Sequence, residues 1–483
     1  MSPYDRSPAP SRSRMTAPAL RSTLNLAWPI LVAQLTLMLM PIMDTMMVGH
    51  YHTTDLAAVA LGNSIYITVF LTLSGILQSL SPHFAHHHGA GTPVLIRQDF
   101  QQGIWLAIAL GLIGMALLSF PQPLIAWAGA DAAVTEKAIA YLRAIAFGVP
   151  AVMLYKVASS LLGATGHQRM LIWVSLTGVV LNIPLNYILI HGHLGLPELG
   201  ATGCGIATAL ASTVNVLVSF RYFARHGDYA RLNLFGQWQR PQWRVQAALL
   251  RLGSPIAFSL MVEISAFTLI ALFVARLGPE VIGGHRIAAQ MAGLCYMLPL
   301  AMGTATAILV GQACGAGDYA RARHQAWVGA LLAGTLASVV GLIIYLARSP
   351  IIHAFSDDAA VVAVGVQLMV FIAVYQFFDG VQTIGTFALR GYKVTLAPMW
   401  IHVVCFWLIG LGGGYWVAFH EVVWLGVRLG PSGAAGFWAA SVVSTVAAAV
   451  LLSALLHRVS QLKLQEHPTQ SPSTPPRPPA SPQ

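Results

Sequence analysis

Apolar residues gather along the chain into twelve long stretches, separated by short segments rich in Gly, Pro and basic residues. Each stretch is close to the ~20 residues that cross a bilayer as an α-helix. Strands could cross only as a closed barrel, whose segments alternate apolar and polar positions. These stretches do not alternate, so helices are expected. They lie near 24–48, 56–81, 99–120, 137–163, 169–191 and 200–223, then near 251–276, 282–311, 323–347, 361–389, 395–420 and 432–457.

The two sets of six repeat one another. Pro29-Ile30 opens the first helix and Pro255-Ile256 the seventh. Gly89-Ala90-Gly91 follows the second helix and Gly315-Ala316-Gly317 the eighth. Asp131-Ala132-Ala133-Val134 precedes the fourth and Asp358-Ala359-Ala360-Val361 the tenth. Gly166 precedes the fifth and Gly391 the eleventh, and all four offsets fall between 225 and 227. Six helices return the chain to the same face of the membrane, so the halves share one topology. Their pseudo-two-fold axis then runs along the membrane normal, with a cleft between two bundles. The expected fold is an all-α membrane protein of twelve transmembrane helices in two six-helix bundles.

The expected organisation is a disordered cytoplasmic tail at 1–22, a first bundle at 23–223, a basic cytoplasmic linker at 224–250, a second bundle at 251–457 and a Pro/Ser-rich disordered cytoplasmic tail at 458–483. The first apolar run is longer than a signal-peptide core. Of 483 residues only 9% are charged, against about 25% in soluble domains. The net charge of +10 is accounted for by topology rather than by nucleic-acid binding. With both termini cytoplasmic, 19 of the 26 Lys and Arg collect on the inner side, Arg390 and Lys393 among them, as the positive-inside rule requires. Four cysteines (Cys204, Cys295, Cys314, Cys405) form no CxxC and read as packing residues.

Three carboxylates fall inside apolar spans: Asp44 late in the first helix, Glu263 in the seventh and Asp379 in the tenth. A charge at the bilayer centre costs at least ~2.5–3.5 kcal/mol and normally faces a bundle interior or wet cavity. Such groups can bind and release a cation. Tyr375 and Asp379 share a helix face at i,i+4. Asn182 and Asn186 repeat that spacing around Pro184, either as helix–helix glue or as partners for Asp44. Asp358 can act as an accessory ligand or as a helix cap. Lys156, the one basic residue deep in a span, can line the cleft or snorkel to an interface. Pro29 would kink the first helix. His83, His86, His87 and His88 read as a solvated, pH-sensitive loop, because consecutive helical residues splay about 100° apart and do not converge on a metal. No GxxxxGK[ST], HExxH or GxSxG occurs, so the chain reads as a non-enzyme that uses neither ATP nor a cofactor.

The chain resembles the multidrug and toxic compound extrusion (MATE) transporters, most closely the bacterial NorM-type branch. The resemblance covers residues ~24–457 and is carried by PILVAQLTLMLMPIMDTMMVGH (29–50), GILQSLSPHFAHHHGAG (75–91), LNIPLNYIL (181–189), LGLPELGATGCGIAT (194–208), MVEISAFTLIALFVARLG (261–278), VGQACGAGD (310–318) and VYQFFDGVQTIGTFALRGYK (374–393). It implies a monomeric secondary antiporter of the bacterial inner membrane that expels lipophilic organic cations in exchange for Na+ or H+. It implies an ion site at Glu263, Tyr375 and Asp379, sodium being favoured there, with Asp358 accessory. It also implies a first-bundle site at Asp44 with Asn182 and Asn186. Some members carry a carboxylate at the Asn186 position, and polar residues other than histidine before Gly89. Lys156 has no counterpart in the resemblance. The alternative is a lipid-linked oligosaccharide flippase of a related superfamily. Three buried acids against one buried Lys favour a cationic substrate.

Overall fold

The computed structural model describes residues 12–125, 131–424, 427–429 and 431–467. The first bundle is built from α1 (Arg12–Gly49), α2 (Thr53–Leu77), α3 (Leu80–Gly89), α4 (Pro93–Ser119), the short α5 (Gln122–Ile125), α6 (Ala132–Ala146), α7 (Val149–Ala164), α8 (Gln168–His191) and α9 (Ala201–Arg225). The connection holds α10 (Gly227–Leu232). The second bundle comprises α11 (Trp243–Val274), α12 (Pro279–Gly315), α13 (Tyr319–His353), α14 (Ala359–Gly391), α15 (Leu396–His402), a π-helical stretch (Val403–Gly413), α16 (Gly414–Phe419) and α17 (Gly433–Glu466). Among the described residues, eleven helical segments are long and apolar enough to span a bilayer, and a bent pair makes twelve. Large apolar side chains such as Leu112, Ile113, Leu342 and Leu346 point outward, unpaired with protein, as a lipid-facing surface requires.

That bent pair is α6–α7, which turns by 46°, where the sequence predicts one unbroken helix at 137–163. Pro150 has no N–H and disfavours helical geometry at Val149, so the hydrogen-bond ladder breaks there. Gly111 of α4 allows the break to pack closely: a Cβ on it would lie 2.6 Å from Pro150 Cα. Pro29 is buried within a continuous α1, so this structure shows no break of the first helix at that residue.

Three boundaries need correction. Helix α1 begins at Arg12, so part of the expected 1–22 tail is helical, and α17 runs on to Glu466. The rest of both tails (1–11 and 468–483) lies outside the described residues. The linker 224–250 is not a free basic strap. Gln101 Nε2 donates to the carbonyls of Leu234 and Gly236, each at 3.0 Å. Gln102 Nε2 donates to Arg240 O at 2.9 Å, and Trp105 Nε1 to Gln239 O at 3.0 Å. The amides of Gln239 and Gln242 return bonds to Gln101 Oε1 and Gln102 Oε1. Buried glutamines of α4 thus satisfy an irregular backbone that has no ladder of its own. Helix α11 then starts at Trp243 rather than near 251. A two-stranded antiparallel ribbon, β1 (Val422–Trp424) and β2 (Val427–Leu429), adds a small exception to the all-α expectation.

Where the bundles meet, glycines set the distance. A Cβ on Gly75 would lie 2.7 Å from Ala257 Cα, and one on Gly253 would overlap Ile76 O. At the two Gly-Ala-Gly turns the same device appears twice: a Cβ on Gly89 would overlap Gln312 O, and one on Gly315 would overlap His86 O. Two side-chain bonds cross the same seam. His86 Nε2 donates to Gly391 O at 2.7 Å, and Gln312 Nε2 donates to Ala164 O at 2.8 Å. His86 and Gln312 occupy equivalent places in the repeat, and their acceptors Gly391 and Ala164 lie at the matching ends of the tenth and fourth spans. The bundles therefore close at the end that carries the Gly-Ala-Gly turns. The largest apolar core crosses with them, from the first bundle into Ala301, Met302, Ala305 and Ile308 of α12.

Stability within the first bundle rests partly on Asp55 at the start of α2. Its carboxylate is buried, accepts the Ala201 amide at 3.0 Å and pairs with Lys137. Asp55→Ala leaves that amide and that ammonium without their acceptor, and is expected to cost about 3 kcal/mol. Thermal unfolding in detergent checks it: the midpoint should fall by several degrees, and by less in Lys137→Met, because Lys137 is half exposed.

Candidate functional site

Helix α1 brings Asp44 against α8 and α9. Asn186 Nδ2 donates to Asp44 Oδ1 at 2.5 Å, and Thr208 Oγ1 donates to Asp44 Oδ2 at 3.1 Å. Asn186 Nδ2 also reaches Asn182 Oδ1 at 3.0 Å, and Asn182 Nδ2 reaches Thr208 Oγ1 at 3.4 Å. The i,i+4 spacing puts both amides on one face of α8, opposite the carboxylate. Asn186 Oδ1 is buried without a partner among the described residues, so the cluster keeps an acceptor in reserve beside the acid. Thr208 closes this network. It ends the 194–208 stretch that carries part of the family resemblance, and a hydroxyl in an apolar span is the signal that marks it.

The second cluster forms between α11, α12 and α14. Asp379, 1% exposed, accepts from Gln382 Nε2 at 3.1 Å and lies against the Tyr375 hydroxyl. Glu263 on α11 and Tyr296 on α12 are close enough to interact electrostatically with Asp379. Gln382 Oε1 is a further buried acceptor without a partner among the described residues. Glu263, Tyr375 and Asp379 are thus brought together, with Tyr296 and Gln382 as members that spacing alone did not single out. Gln382 sits at i+3 from Asp379, a position that the helical repeat does make legible. Oxygen atoms dominate this set, as a hard cation such as sodium requires.

Asp358 is elsewhere. It is exposed and caps α14, its Oδ1 accepting from Ala360 N at 2.8 Å and Val361 N at 3.1 Å. The capping reading accounts for it completely.

A cavity of about 390 Å³ lies against the first bundle. Asp44, Tyr66, Tyr141 and Thr208 line it, together with apolar Leu37, Phe70 and Ile308. Lys156 lines it too, and so does Arg390. Arg390 corrects the sequence reading, which counted it with the inner loops and left Lys156 as the one buried base. It is 6% exposed, donates to Gln78 Oε1 at 2.9 Å and lies 4.2 Å over the Phe387 ring. Its position at the last turn of α14 resembles a loop residue in sequence, and only the closed seam buries it.

The histidines also depart from expectation. They form α3 rather than a solvated loop, and only His88 is exposed. Asp99 Oδ2 of α4 meets His83 Nδ1 at 3.3 Å and His87 Nε2 at 3.1 Å, while His86 turns to the other bundle. His83, His87 and Asp99 converge closely enough to hold an ion, as do His167, His226 and Asp228 at the connection. At the first set Lys393 interacts electrostatically with Asp99 and His83, which opposes a cation. Burial pushes the Lys393 pKa below its usual value, and Asp99 offsets part of that shift.

The family model MatE matches residues 29–188 and 255–416, two stretches whose starts are separated by the repeat length. The chain belongs to the MatE family. Among MatE relatives, a protein of Aromatoleum aromaticum named "Probable multidrug resistance protein NorM" is 48% identical, the match covering 90% of this chain and 93% of the relative. A protein of the same name from Chromobacterium violaceum is 39% identical over 94% of this chain and 97% of its own length. Solved MatE-type folds superpose closely at low identity. A MATE transporter described as in the bent conformation gives a TM-score of 0.84 at 18% identity, covering 94% of this chain and 99% of the other. A multidrug resistance MATE transporter described as outward-facing gives 0.82 at 19%, covering 92% and 97%.

Proposed function

We propose that this MatE protein is a secondary multidrug efflux transporter, exchanging an inward-moving Na+ or H+ for outward-moving lipophilic organic compounds, mostly cations, by alternating access. One observation carries the reading: Glu263 and Asp379 share a buried cluster, and among the described residues no Lys, Arg or His forms an ion pair with either. Acids clustered inside a span and in contact with no base call for a proton or a metal ion, Arg390 reaching Glu263 only through its field. Asp44, with its two asparagines and Thr208, forms a second acid on the cavity wall, suited to a cationic substrate or to tuning the first bundle. Relatives named as multidrug resistance proteins support efflux and a non-enzymatic role.

The basic residues orient the Gly-Ala-Gly end to the cytoplasm. The seam closed by Gly89 and Gly315 then seals the inner face. Ion and drug would favour opposite-facing states, so each displaces the other through one shared equilibrium. A monomer suffices, because the cavity and both acid clusters lie within one chain.

The half-buried Lys156 and the buried Arg390 bear on the flippase alternative, whose substrates are anionic. The cavity is largely apolar and of small-molecule size, which suits a drug better than a lipid-linked oligosaccharide. The test uses proteoliposomes loaded with a fluorescent organic cation, driven separately by a sodium gradient and by a pH gradient. One gradient is expected to drive transport. Transport under neither would overturn antiport.

A further inference from the structure

We propose that Lys156 and Arg390 form an anion subsite in the cavity, which takes the carboxylate of an amphoteric organic substrate. The proposal rests on the efflux reading and adds to it the residues that recognise one charged end of a substrate. Both side chains line the cavity. Neither has a carboxylate within 4.0 Å among the described residues. Arg390 spends one N–H on Gln78 and rests on Phe387. Lys156 offers its backbone carbonyl to Ser159 and Ser160, and among the described residues its ammonium forms no hydrogen bond. The two cations are near enough to repel each other. Two like charges held together out of water are costly, and an anion between them removes both the desolvation and the repulsion.

The neighbours define the anion. Ser81, Ser159 and Ser160 line the same cavity and add hydroxyl groups. A guanidinium and an ammonium beside hydroxyls match a single carboxylate, which accepts from Arg in a fork and from Lys as a point charge. Ile30, Leu37, Phe70 and Phe387 make the remaining wall apolar, so the rest of the ligand is a flat or lipophilic body rather than a sugar. Asp44 lies on the same cavity wall, late in α1, and faces the amine of such a molecule. Glu263, the acid whose field Arg390 feels, is not a lining residue, and so leaves the subsite free for a ligand. The cavity therefore carries a negative station and a positive one, and a molecule bearing both charges satisfies both.

Two rhodamines that differ by one methyl ester test this on the purified full chain in detergent. Rhodamine 110 carries a free carboxylate and a delocalised cation; rhodamine 123 is its methyl ester and is only a cation. Binding is read by fluorescence anisotropy. The wild type should bind the acid more tightly than the ester. Lys156→Gln should weaken the acid about tenfold and leave the ester within about twofold, since the lost bond is charge-assisted. Lys156→Arg should keep most of the preference. The ester serves as the folding control in every variant. Equal binding of both dyes by the wild type, or equal losses in Lys156→Gln, would overturn the subsite. Ion-driven export of the ester by the wild type reports the antiport separately, and stands whichever way the dye pair falls.

Discussion

Asp379→Asn should lower ion-driven export by about two orders of magnitude while the protein stays folded, because it removes the charge that would hold the ion, a charge-assisted contact worth about 3 kcal/mol. The substitution keeps the shape of the side chain. Its new amide can donate to Gln382 Oε1, which has no partner in the wild type, so packing and hydrogen bonding survive and only the charge is lost. Glu263→Gln should behave alike, since Glu263 shares the same cluster through its field on Asp379. Drug-stimulated ion release from proteoliposomes is the measurement, with thermal unfolding as the control for folding. Asp358→Asn supplies the contrast: an exposed cap should leave coupling intact and, at most, cost about 1 kcal/mol of stability. Wild-type coupling in both Asp379→Asn and Glu263→Gln would remove the second bundle from the ion path.

The second large effect is conformational. Gly89→Val and Gly315→Val should each drive the seam at the Gly-Ala-Gly end apart. The atom each new side chain meets is backbone, Gln312 O for one and His86 O for the other. A backbone carbonyl cannot rotate aside as a long side chain would, so the bundles themselves must move. Overpacking of this kind costs about 1–3 kcal/mol, and 2 kcal/mol shifts a two-state population about thirtyfold. Spin labels placed on α3 and α12 should report a longer distance, and transport should fall at least about tenfold. The same seam loses the bonds of His86 and Gln312 when it opens. Gly91→Ala and Gly317→Ala are the matched controls. Both glycines have positive φ with open space around them, so these variants strain a turn locally without touching the opposite bundle. An unchanged α3–α12 distance in the valine variants would show that the seam yields without opening.

Much of this was legible before any coordinates. Helix number, the six-plus-six repeat and the pairing of Tyr375 with Asp379 follow from hydropathy length, constant offsets and i,i+4 spacing, which are local or periodic signals, whereas Glu263 joins them only through the family resemblance. What escaped depended on contacts between distant segments. Arg390 reads as a loop residue because its partner Gln78 lies between α2 and α3 of the other bundle, and no feature of residues 374–393 carries that. Gln101 and Gln102 look like two more polar residues at a membrane border, and their partners lie more than a hundred residues away. Consecutive histidines on one helix point in different directions. Their partners are instead Asp99 on the next helix and Gly391 in the other bundle, so the converging pair was His83 with His87. The break at Pro150 was visible in principle, but a proline in a membrane helix is often tolerated without a bend.

The glutamine clamp on residues 234–242 bears on where the machine pivots. If the connection were slack, each bundle could swing freely and the strap would only limit their separation. Here the strap is bolted to α4, and Gln246 in the first turns of α11 is bolted too, through Gln102 O at 2.9 Å. The base of α11 therefore rides with the opposite bundle, like an axle fixed to a frame. Rotation has to be absorbed further along that helix, where Gly253 and Pro255 stand next to each other's turn. The joint between the halves is thus a short stretch of α11, and the loop that appears to link them serves as its mounting.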